Sequence, residues 1–526
     1  MKVLVSDKLS SDGVNKLKNA GLDVDVITGL TEDELIQIIP QYEALIVRSE
    51  TKVTPKVIAA AKAMKIIARA GVGVDNIDLP SATKAGIIVV NSPEGNTVAA
   101  AEHTIAMMLS MARNIPAAQA SLKSGRWDRS KFVGVEVFNK TLGVVGLGKI
   151  GSRVASIASG MGMHIIAYDP FVTPEYAKQH GIEIKNLDDV LKSADFITFH
   201  IPKTPETFHL INKNKFAIMK KGVRIINCAR GGIIDENDLA EALKSGQVTA
   251  AAIDVYEKEP TPPDNPLLAL DNVVCVPHLG ASTVEAQVNV AIDVVDQVID
   301  VSRGEPARAA VNIPAMKPAV LAKVKPFMPL CEKIGKVCSQ LASGSISGLE
   351  ITYQGEVSNL DTSPLTIAVL KGIFDSILEY PVNFVNAPIV AKERGLKVVE
   401  SKTPESPDFA NLITVTIKSE NGCISVGGTT FSGFGDRIVR IDEFTIDMEL
   451  SGYMLIATHT DKPGIIGSVG TILGKNKINI AGMDVGRQSI GGKAVMVLTV
   501  DTSIPESVIS EITKTDGIST AKLVKL

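Results

Sequence analysis

The sequence predicts an α/β protein: two doubly wound lobes, then a mixed α+β unit, then a small ferredoxin-like unit. Three observations carry this expectation. Short apolar runs alternate with amphipathic stretches from residue 1 to about 96, and the alternation resumes at Thr141. A G-x-G-x-x-G turn, Gly146-Leu147-Gly148-Lys149-Ile150-Gly151, joins an apolar run to a helical stretch. The last stretch, from Ser451 onward, reads strand, helix, strand, strand, helix, strand, the ferredoxin-like order.

In the first stretch the expected strands are Val3–Ser6, Val24–Ile27, Ala44–Val47, Ile66–Ala68 and Ile87–Val90, with polar helices between them. Strands alternating with helices imply a parallel sheet covered on its faces. An alanine- and methionine-rich helix follows over Thr97–Arg113. The second set of strands is expected at Gly143–Val145, Ile165–Tyr168, Phe196–His200, Arg224–Asn227, Ala251–Asp254 and Val273–Val276. The helical stretch Val284–Val301 then returns toward the first lobe. The proline-bearing linker Asn312-Ile313-Pro314-Ala315-Met316-Lys317-Pro318 precedes a unit with strands around Glu350–Tyr353 and Leu412–Ile417. Ser451-Gly452 reads as a hinge into the final unit: strands at Tyr453–Thr458, Ile478–Val485, Lys493–Val500 and Thr520–Val524, helices at Ile465–Asn476 and Glu506–Lys514.

With 526 residues the chain needs three or four cores. An apolar share of 45% and a charged share of 21% describe an ordinary globular protein. A formal charge of −4 gives no basis for a nucleic-acid partner or an anionic membrane. No apolar run reaches the ~18–20 residues that span a bilayer. Met1-Lys2-Val3-Leu4-Val5-Ser6-Asp7 reads as a strand ending in an acid rather than a signal peptide. The five cysteines, Cys228, Cys275, Cys331, Cys338 and Cys423, lack C-x-x-C spacing, so neither a metal centre nor a disulfide framework is expected. Cys331 and Cys338 are read as packing residues. Together these features lead us to expect a cytoplasmic protein with reduced thiols.

The glycine turn carries the clearest chemistry. Gly146 makes a tight turn, Gly148 lets a pyrophosphate approach the backbone, and Gly151 lets the helix pack on the strand. Amides at the helix start face the phosphates with a favourable dipole. Asp169 ends the next apolar run, 18 residues after Gly151, where a carboxylate binds both ribose hydroxyls and repels a 2′-phosphate. The cofactor is therefore expected to be NAD rather than NADP. The expected cofactor contacts are Gly146, Gly148, Lys149, Ile150, Gly151, Asp169, His200, Cys228, Ala229, Asp254 and Gly280.

Three loops at strand ends of the same sheet offer catalytic groups. His278, in Pro277-His278-Leu279-Gly280, is placed to exchange the proton of a substrate hydroxyl. Arg230, in Asn227-Cys228-Ala229-Arg230-Gly231-Gly232, can grip a carboxylate through parallel hydrogen bonds. Asp254-Val255-Tyr256-Glu257-Lys258-Glu259-Pro260 offers two acids, Glu257 and Glu259, and the residues alone leave the choice between them open. An arginine, a glutamate and a histidine beside bound NAD make a hydride-transfer site without metal. His103, His164, His180 and His209 have no chemical context and are read as packing or surface residues.

These motifs, in this order and spacing, resemble the D-isomer-specific 2-hydroxyacid dehydrogenases over residues 1–312. The resemblance implies that the acid before proline is the catalytic one, which selects Glu259. It also implies a discontinuous substrate lobe, 1–96 completed by 288–312, around an NAD-binding Rossmann lobe at 97–287. Val47-Arg48-Ser49-Glu50-Thr51 and Ala68-Arg69-Ala70-Gly71-Val72-Gly73-Val74-Asp75-Asn76 resemble the substrate-pocket segments of that family's phosphoglycerate-oxidising branch. Expected substrate contacts are Arg48, Ser49, Arg69, Gly71, Val72, Gly73 and Asn76, with two arginines suited to a substrate bearing a carboxylate and a phosphate. The tail resembles the long form of that branch: an intervening, allosteric substrate-binding-like domain at 317–450 and an ACT domain at 451–526. The ACT resemblance implies an L-serine effector at His459, Asp461 and Asn479 and a homo-oligomer, dimer or tetramer. Together these imply oxidation of D-3-phosphoglycerate at the first step of L-serine biosynthesis. A hydroxypyruvate or glyoxylate reductase is the alternative within the class, and the tail argues against it. An NAD-binding corepressor on the same scaffold is the alternative outside it, against which Arg230, Glu259 and His278 argue.

Overall fold

The computed structural model describes residues 1–179, 181–313, 318–378, 381–431 and 433–526. His180 and linker residues 314–317 lie outside them. Strands β1 (Lys2–Val5), β2 (Asp23–Val26), β3 (Ala44–Val47), β4 (Ile66–Arg69) and β5 (Ile88–Val90) form a parallel sheet in the order β2-β1-β3-β4-β5. β3 is buried along its whole length, as its unbroken apolar run requires in a sheet covered on both faces. The helix Val284–Ser302 lays Val290, Val294, Val295 and Val298 into the core shared by Val3, Val5, Ala44 and Ile46. Asn312 then ties the returning chain to β5: its side chain accepts from Val89 N at 2.9 Å and donates to Ile87 O at 2.8 Å. Both ends of this segment thus build the first lobe.

The second sheet comprises β6 (Thr141–Val145), β7 (His164–Tyr168), β8 (Glu183–Ile184), β9 (Phe196–Phe199), β10 (Val223–Asn227), β11 (Val248–Ile253) and β12 (Val273–Cys275). All neighbours are parallel, in the order β12-β11-β10-β9-β6-β7-β8. The winding direction reverses between β6 and β9, and the ends of those strands carry the glycine turn and His200. Ligands of open α/β sheets bind at such a reversal. The helix Thr97–Ala112 covers one face through Met107, Met108 and Met111. β8, only two residues long, was not expected from the sequence.

The third sheet runs β14-β13-β15-β16-β17-β18, built from β13 (Ile346–Gly355), β14 (Lys397–Thr403), β15 (Asn411–Ser419), β16 (Gly422–Phe431), β17 (Gly435–Ile441) and β18 (Phe444–Glu449). Only β13 and β14 are parallel. Cys331 and Cys338 lie fully buried on the helix Met328–Leu341 beneath it. The fourth sheet, β20-β21-β19-β22, is antiparallel, with β19 (Tyr453–Thr460), β20 (Ile480–Arg487), β21 (Lys493–Val500) and β22 (Ile518–Lys525). Its helices Ile465–Lys475 and Glu506–Thr513 pack on one face. Its other face does not stand free: Met454, Ile456, Val495, Val497 and Val524 join the core under the third sheet. Lys522 Nζ donates to Leu341 O at 2.6 Å and Ala342 O at 3.1 Å, capping the helix Met328–Leu341. The expected hinge at Ser451-Gly452 therefore joins two units that share an apolar interface.

Candidate active site

β12 ends at Cys275, and the chain turns so that His278 adopts a left-handed backbone with φ of 53°. Such a conformation is costly for a non-glycine residue and persists only where neighbours enforce it. Asp254, fully buried at the end of β11, enforces it: its carbonyl accepts from His278 N at 2.9 Å, and its carboxylate accepts from Leu279 N at 2.6 Å and Gly280 N at 3.0 Å. His278 Nδ1 lies 2.7 Å from Glu259 Oε2, and Glu259 Oε1 accepts from Tyr256 N at 3.1 Å. Burial pushes the Glu259 carboxyl up, but the His278 hydrogen bond and charge and the Tyr256 amide outweigh it and hold the group below the usual carboxylate range. The other acid has a different partner. Glu257 Oε1 takes His209 Nε2 at 2.9 Å, and His209 Nδ1 sits 3.2 Å from Asp235. His209, read from sequence as lacking context, is thus what occupies Glu257.

Arg230 extends from the loop after β10. Asn227 shapes this loop, accepting from Ala229 N at 3.1 Å and donating to Arg230 O at 3.0 Å. The guanidinium is held on two sides, by Ala229 O at 2.7 Å and by Asp75 of the first lobe at 3.2 Å. Facing it are the loops at the carboxyl ends of β3 and β4. A cleft of about 880 Å³ is lined by Arg48, Ser49, Arg69, Gly71, Val72 and Gly73 from one lobe. From the other come Ile150, His200, Cys228, Ala229, Arg230, Glu259, His278 and Gly280. Gly71 packs directly on Arg69: a Cβ there would stand 1.9 Å from Arg69 Nη1, so a larger residue would displace that guanidinium. Burial and the neighbouring charges of Arg230 and Arg48 push Arg69 down to about 10, and its Nε is buried without a partner. The cleft thus gathers Arg48, Arg69, Lys203 and Arg230 against Asp75, Asp78 and Glu259, and Arg69 Nε has no acceptor among the described residues.

Asn76 stands apart from the other expected substrate contacts. It does not line the cleft; its amide donates to Arg48 O at 2.8 Å and Thr51 O at 2.7 Å and holds the β3 loop in place. His103, read from sequence as packing or surface, instead sits with Nε2 3.3 Å from Asp254 Oδ1 and beside Cys228. The ligand atoms of these three lie within 4.8 Å of one another, and of the three Cys228 lines the cleft. Burial and Asp254 push the Cys228 thiol well up, which keeps it protonated. Sequence reasoning missed His103 and Asp75. The acid next to the V-G-V glycines was a usable signal for Asp75, whereas His103 depends on which face of its helix packs inward.

The residues at the glycine turn fit a dinucleotide. Gly146 has φ of 97°, and a Cβ there would meet His200 O at 2.6 Å. A Cβ on Gly151 would overlap Gly146 O at 1.9 Å, so the helix closes on the turn only with glycine. Gly148 has open space where its Cβ would be, and the helix Lys149–Gly160 starts with no side-chain cap. Its first amides are left for an anion. Asp169 is fixed at the end of β7 by Leu147 N at 2.7 Å and Phe171 N at 2.8 Å. Lys149 pairs with Glu94 of the first lobe. Burial pushes His200 down to about 4, so its ring stays neutral. At the far end of the chain, Asp461 accepts from Arg487 at 3.0 Å and Gly491 N at 3.2 Å, and Asn479 donates to Asp501 at 2.8 Å. His459 is buried nearby with Nε2 unpartnered.

Comparisons with known proteins agree with this architecture. Residues 105–280 match the NAD binding domain of the D-isomer specific 2-hydroxyacid dehydrogenases, 323–442 the D-3-phosphoglycerate dehydrogenase intervening domain, and 453–517 the ACT domain. The chain is 50% identical to a D-3-phosphoglycerate dehydrogenase of Synechocystis sp., covering 100% of this chain and 95% of that one. It is 47% identical to a D-3-phosphoglycerate dehydrogenase of Archaeoglobus fulgidus, covering 100% of both. The crystal structure of D-lactate dehydrogenase from Aquifex aeolicus, complexed with NAD and lactic acid, superposes with a TM-score of 0.53 at 28% identity, over 58% of this chain and 96% of that one. The chain belongs to the D-3-phosphoglycerate dehydrogenases, within the D-isomer specific 2-hydroxyacid dehydrogenase family.

Proposed function

We propose that this chain oxidises the C2 hydroxyl of D-3-phosphoglycerate to 3-phosphohydroxypyruvate with NAD, the reaction that opens L-serine biosynthesis. The observation that carries the chemistry is the His278–Glu259 pair, 2.7 Å apart, set across one cleft from a cationic row. His278 Nε2 takes the hydroxyl proton, while Glu259 on Nδ1 fixes the tautomer and balances the imidazolium charge. Arg230, clamped by Ala229 O and Asp75, binds the substrate carboxylate and polarises the developing carbonyl. Arg69 supplies a second, desolvated donor whose Nε awaits an acceptor. NAD would supply the hydride acceptor for C2; the Gly146–Gly151 turn and Asp169 would hold it, with His200, Cys228, Ala229 and Gly280 in the cleft beside it and buried Asp254 fixing the Leu279–Gly280 loop. Phosphoglycerate is favoured over other 2-hydroxy acids by the full-length identity to enzymes of that name and by the excess of arginines.

The same reading divides the chain into a substrate lobe, 1–96 with 288–312; an NAD lobe, 97–287; an intervening domain, 317–450; and a regulatory ACT domain, 451–526. His459, Asp461 and Asn479 form the L-serine site. The protein works as a cytoplasmic homo-oligomer, dimer or tetramer; among the described residues no helix is long and apolar enough to cross a membrane. The reaction is tested by incubating the protein with NAD and D-3-phosphoglycerate, following NADH absorbance, and identifying the product by mass spectrometry. NADH formed together with the 2-oxo acid phosphate supports the reading; NADH without that product rejects it.

A further inference from the structure

Two strand ends and one helix meet beside the catalytic cleft. β10 and β11 are parallel neighbours whose last paired residues are Asn227 and Ile253, so Cys228 and Asp254 leave the sheet side by side. The helix Thr97–Ala112 brings His103 to the same corner. An imidazole nitrogen, a sulfur and a carboxylate oxygen, one from each residue, all fall within 4.8 Å of one another. His103 Nε2 is 3.3 Å from Asp254 Oδ1, yet this buried nitrogen makes no hydrogen bond among the described residues. A buried polar atom without a partner is costly and needs a reason. Asp254, wholly buried, accepts Leu279 N on one oxygen and Gly280 N on the other, which leaves a lone pair on each. A tetrahedral Zn²⁺ with bonds of ~2.0–2.3 Å holds its ligand atoms about 3.3–3.8 Å apart. The His103–Asp254 separation already has that length, and small side-chain rotations bring the sulfur to it.

We propose that His103, Cys228 and Asp254 bind a soft divalent cation, Zn²⁺ above all, and that the bound ion shuts out the cofactor. One nitrogen, one sulfur and one oxygen suit Zn²⁺, with water in the fourth position on the cleft side. As the S–Zn bond forms, the Cys228 thiol releases its proton to solvent, and no electron changes hands. The ion and NAD contend for one corner, because Cys228 and Gly280 line the cleft beside the place proposed for NAD. A Cβ on Gly280 would stand 3.2 Å from Asp254 Oδ2 and 4.0 Å from His103 Cδ2, so only this glycine separates the triad from the cleft there. The competition therefore rests on the cofactor placement given above. Oxidation of the substrate stays metal-free, and the ion acts as an inhibitor. The three ligands come from separate elements, so no C-x-x-C pattern announces them.

The experiment titrates Zn²⁺ by calorimetry into NAD-free wild type, H103Q, C228S, C423S and H209Q. It is repeated with Co²⁺, whose bond to a thiolate adds an absorption band in the near ultraviolet. Wild type binds Zn²⁺ and shows the band with Co²⁺. H103Q and C228S weaken Zn²⁺ binding by about 100-fold or more, since even groups one step removed from a metal commonly cost about 10- to 100-fold, and C228S loses the band. C423S and H209Q, which alter the exposed thiol and another histidine with acidic neighbours, bind as wild type does. NAD at about ten times its Kd lowers the apparent Zn²⁺ affinity of wild type about ten-fold by mass action. Equal affinity in wild type, H103Q and C228S, or Co²⁺ uptake without the band, overturns the site. A band lost in C228S, together with a Zn²⁺ affinity that NAD leaves unchanged, keeps the ion site and overturns the placement of the cofactor beside it.

Discussion

Asp75 and Arg230 belong to opposite lobes yet meet at 3.2 Å across the mouth of the cleft. Gly73 makes the approach possible, since a Cβ there would stand 2.1 Å from Arg230 Nη2 and 2.7 Å from Asp75 Oδ2. With Ala229 O on Nη1, the pair fixes the plane of the guanidinium before substrate arrives. Asp75 is 65% exposed, so the pair is worth at most ~1 kcal/mol. D75A should therefore cost up to roughly five-fold in kcat/KM, while R230K loses far more, because lysine cannot reproduce a planar two-point grip. Steady-state kinetics on both variants check this; equal losses would mean that the orientation of Arg230 is set by Asp75 alone.

His278 and Glu259 act as a unit in this account, and Glu257 stands outside it. H278N should lower kcat by ~10²–10⁴-fold with NAD binding little changed. E259Q should lower it by about ten-fold or more, the scale of one charge-assisted hydrogen bond. E257Q removes one charged partner of His209, which keeps Asp235, and should leave turnover near that of wild type. If E257Q and E259Q behaved alike, the assignment of the acid would be wrong.

Asp169 governs cofactor choice. D169A should weaken NAD binding and bring the NADP value of kcat/KM closer to that of NAD, since the carboxylate both binds the ribose and repels a 2′-phosphate. Ratios measured with both cofactors decide; an unchanged ratio removes Asp169 from cofactor selection.

Much of this was legible in the sequence, for identifiable reasons. Buried parallel strands such as β3 are unbroken apolar runs, and Gly146 and Gly151 of the turn are required by backbone contacts of 2.6 and 1.9 Å that a Cβ would make. What was not legible is non-local. Glu257 and Glu259 share one loop and one chemistry, and only the fold brings His209 to the first and His278 to the second. Asp75 and Arg230 are 155 positions apart, and no local pattern announces their pairing. Asn76 sits among cleft residues in the sequence but turns inward to carbonyls, which a residue list cannot reveal. The shared core of the third and fourth sheets was likewise hidden: the apolar run of β21 shows that both its faces are covered, but not that the third sheet's unit covers one of them.

That shared core bears on regulation. Asp461 is already engaged by Arg487 and Gly491 N, and the Arg487 hydrogen bond is the main influence holding its carboxyl below the usual range. An incoming ammonium group must share or displace that arginine. L-serine should bind wild type and lower its activity, and D461A should lose both effects; coupling requires different serine affinity in the active and inactive states. Calorimetry and rate measurements on the same samples separate the outcomes. Binding without a rate change would reject regulation, and no binding would reject the effector site.

The central claim is that the cleft oxidises a phosphorylated 2-hydroxy acid. The measurement that tests it most directly is the initial rate of NADH formation by wild type with D-3-phosphoglycerate, D-glycerate and D-lactate at equal concentrations below saturation. The account predicts that phosphoglycerate is oxidised fastest, and that raising the ionic strength lowers its rate more than the others, because screening weakens the attraction of the arginine row for the more highly charged substrate. A faster rate with glycerate or lactate would contradict it.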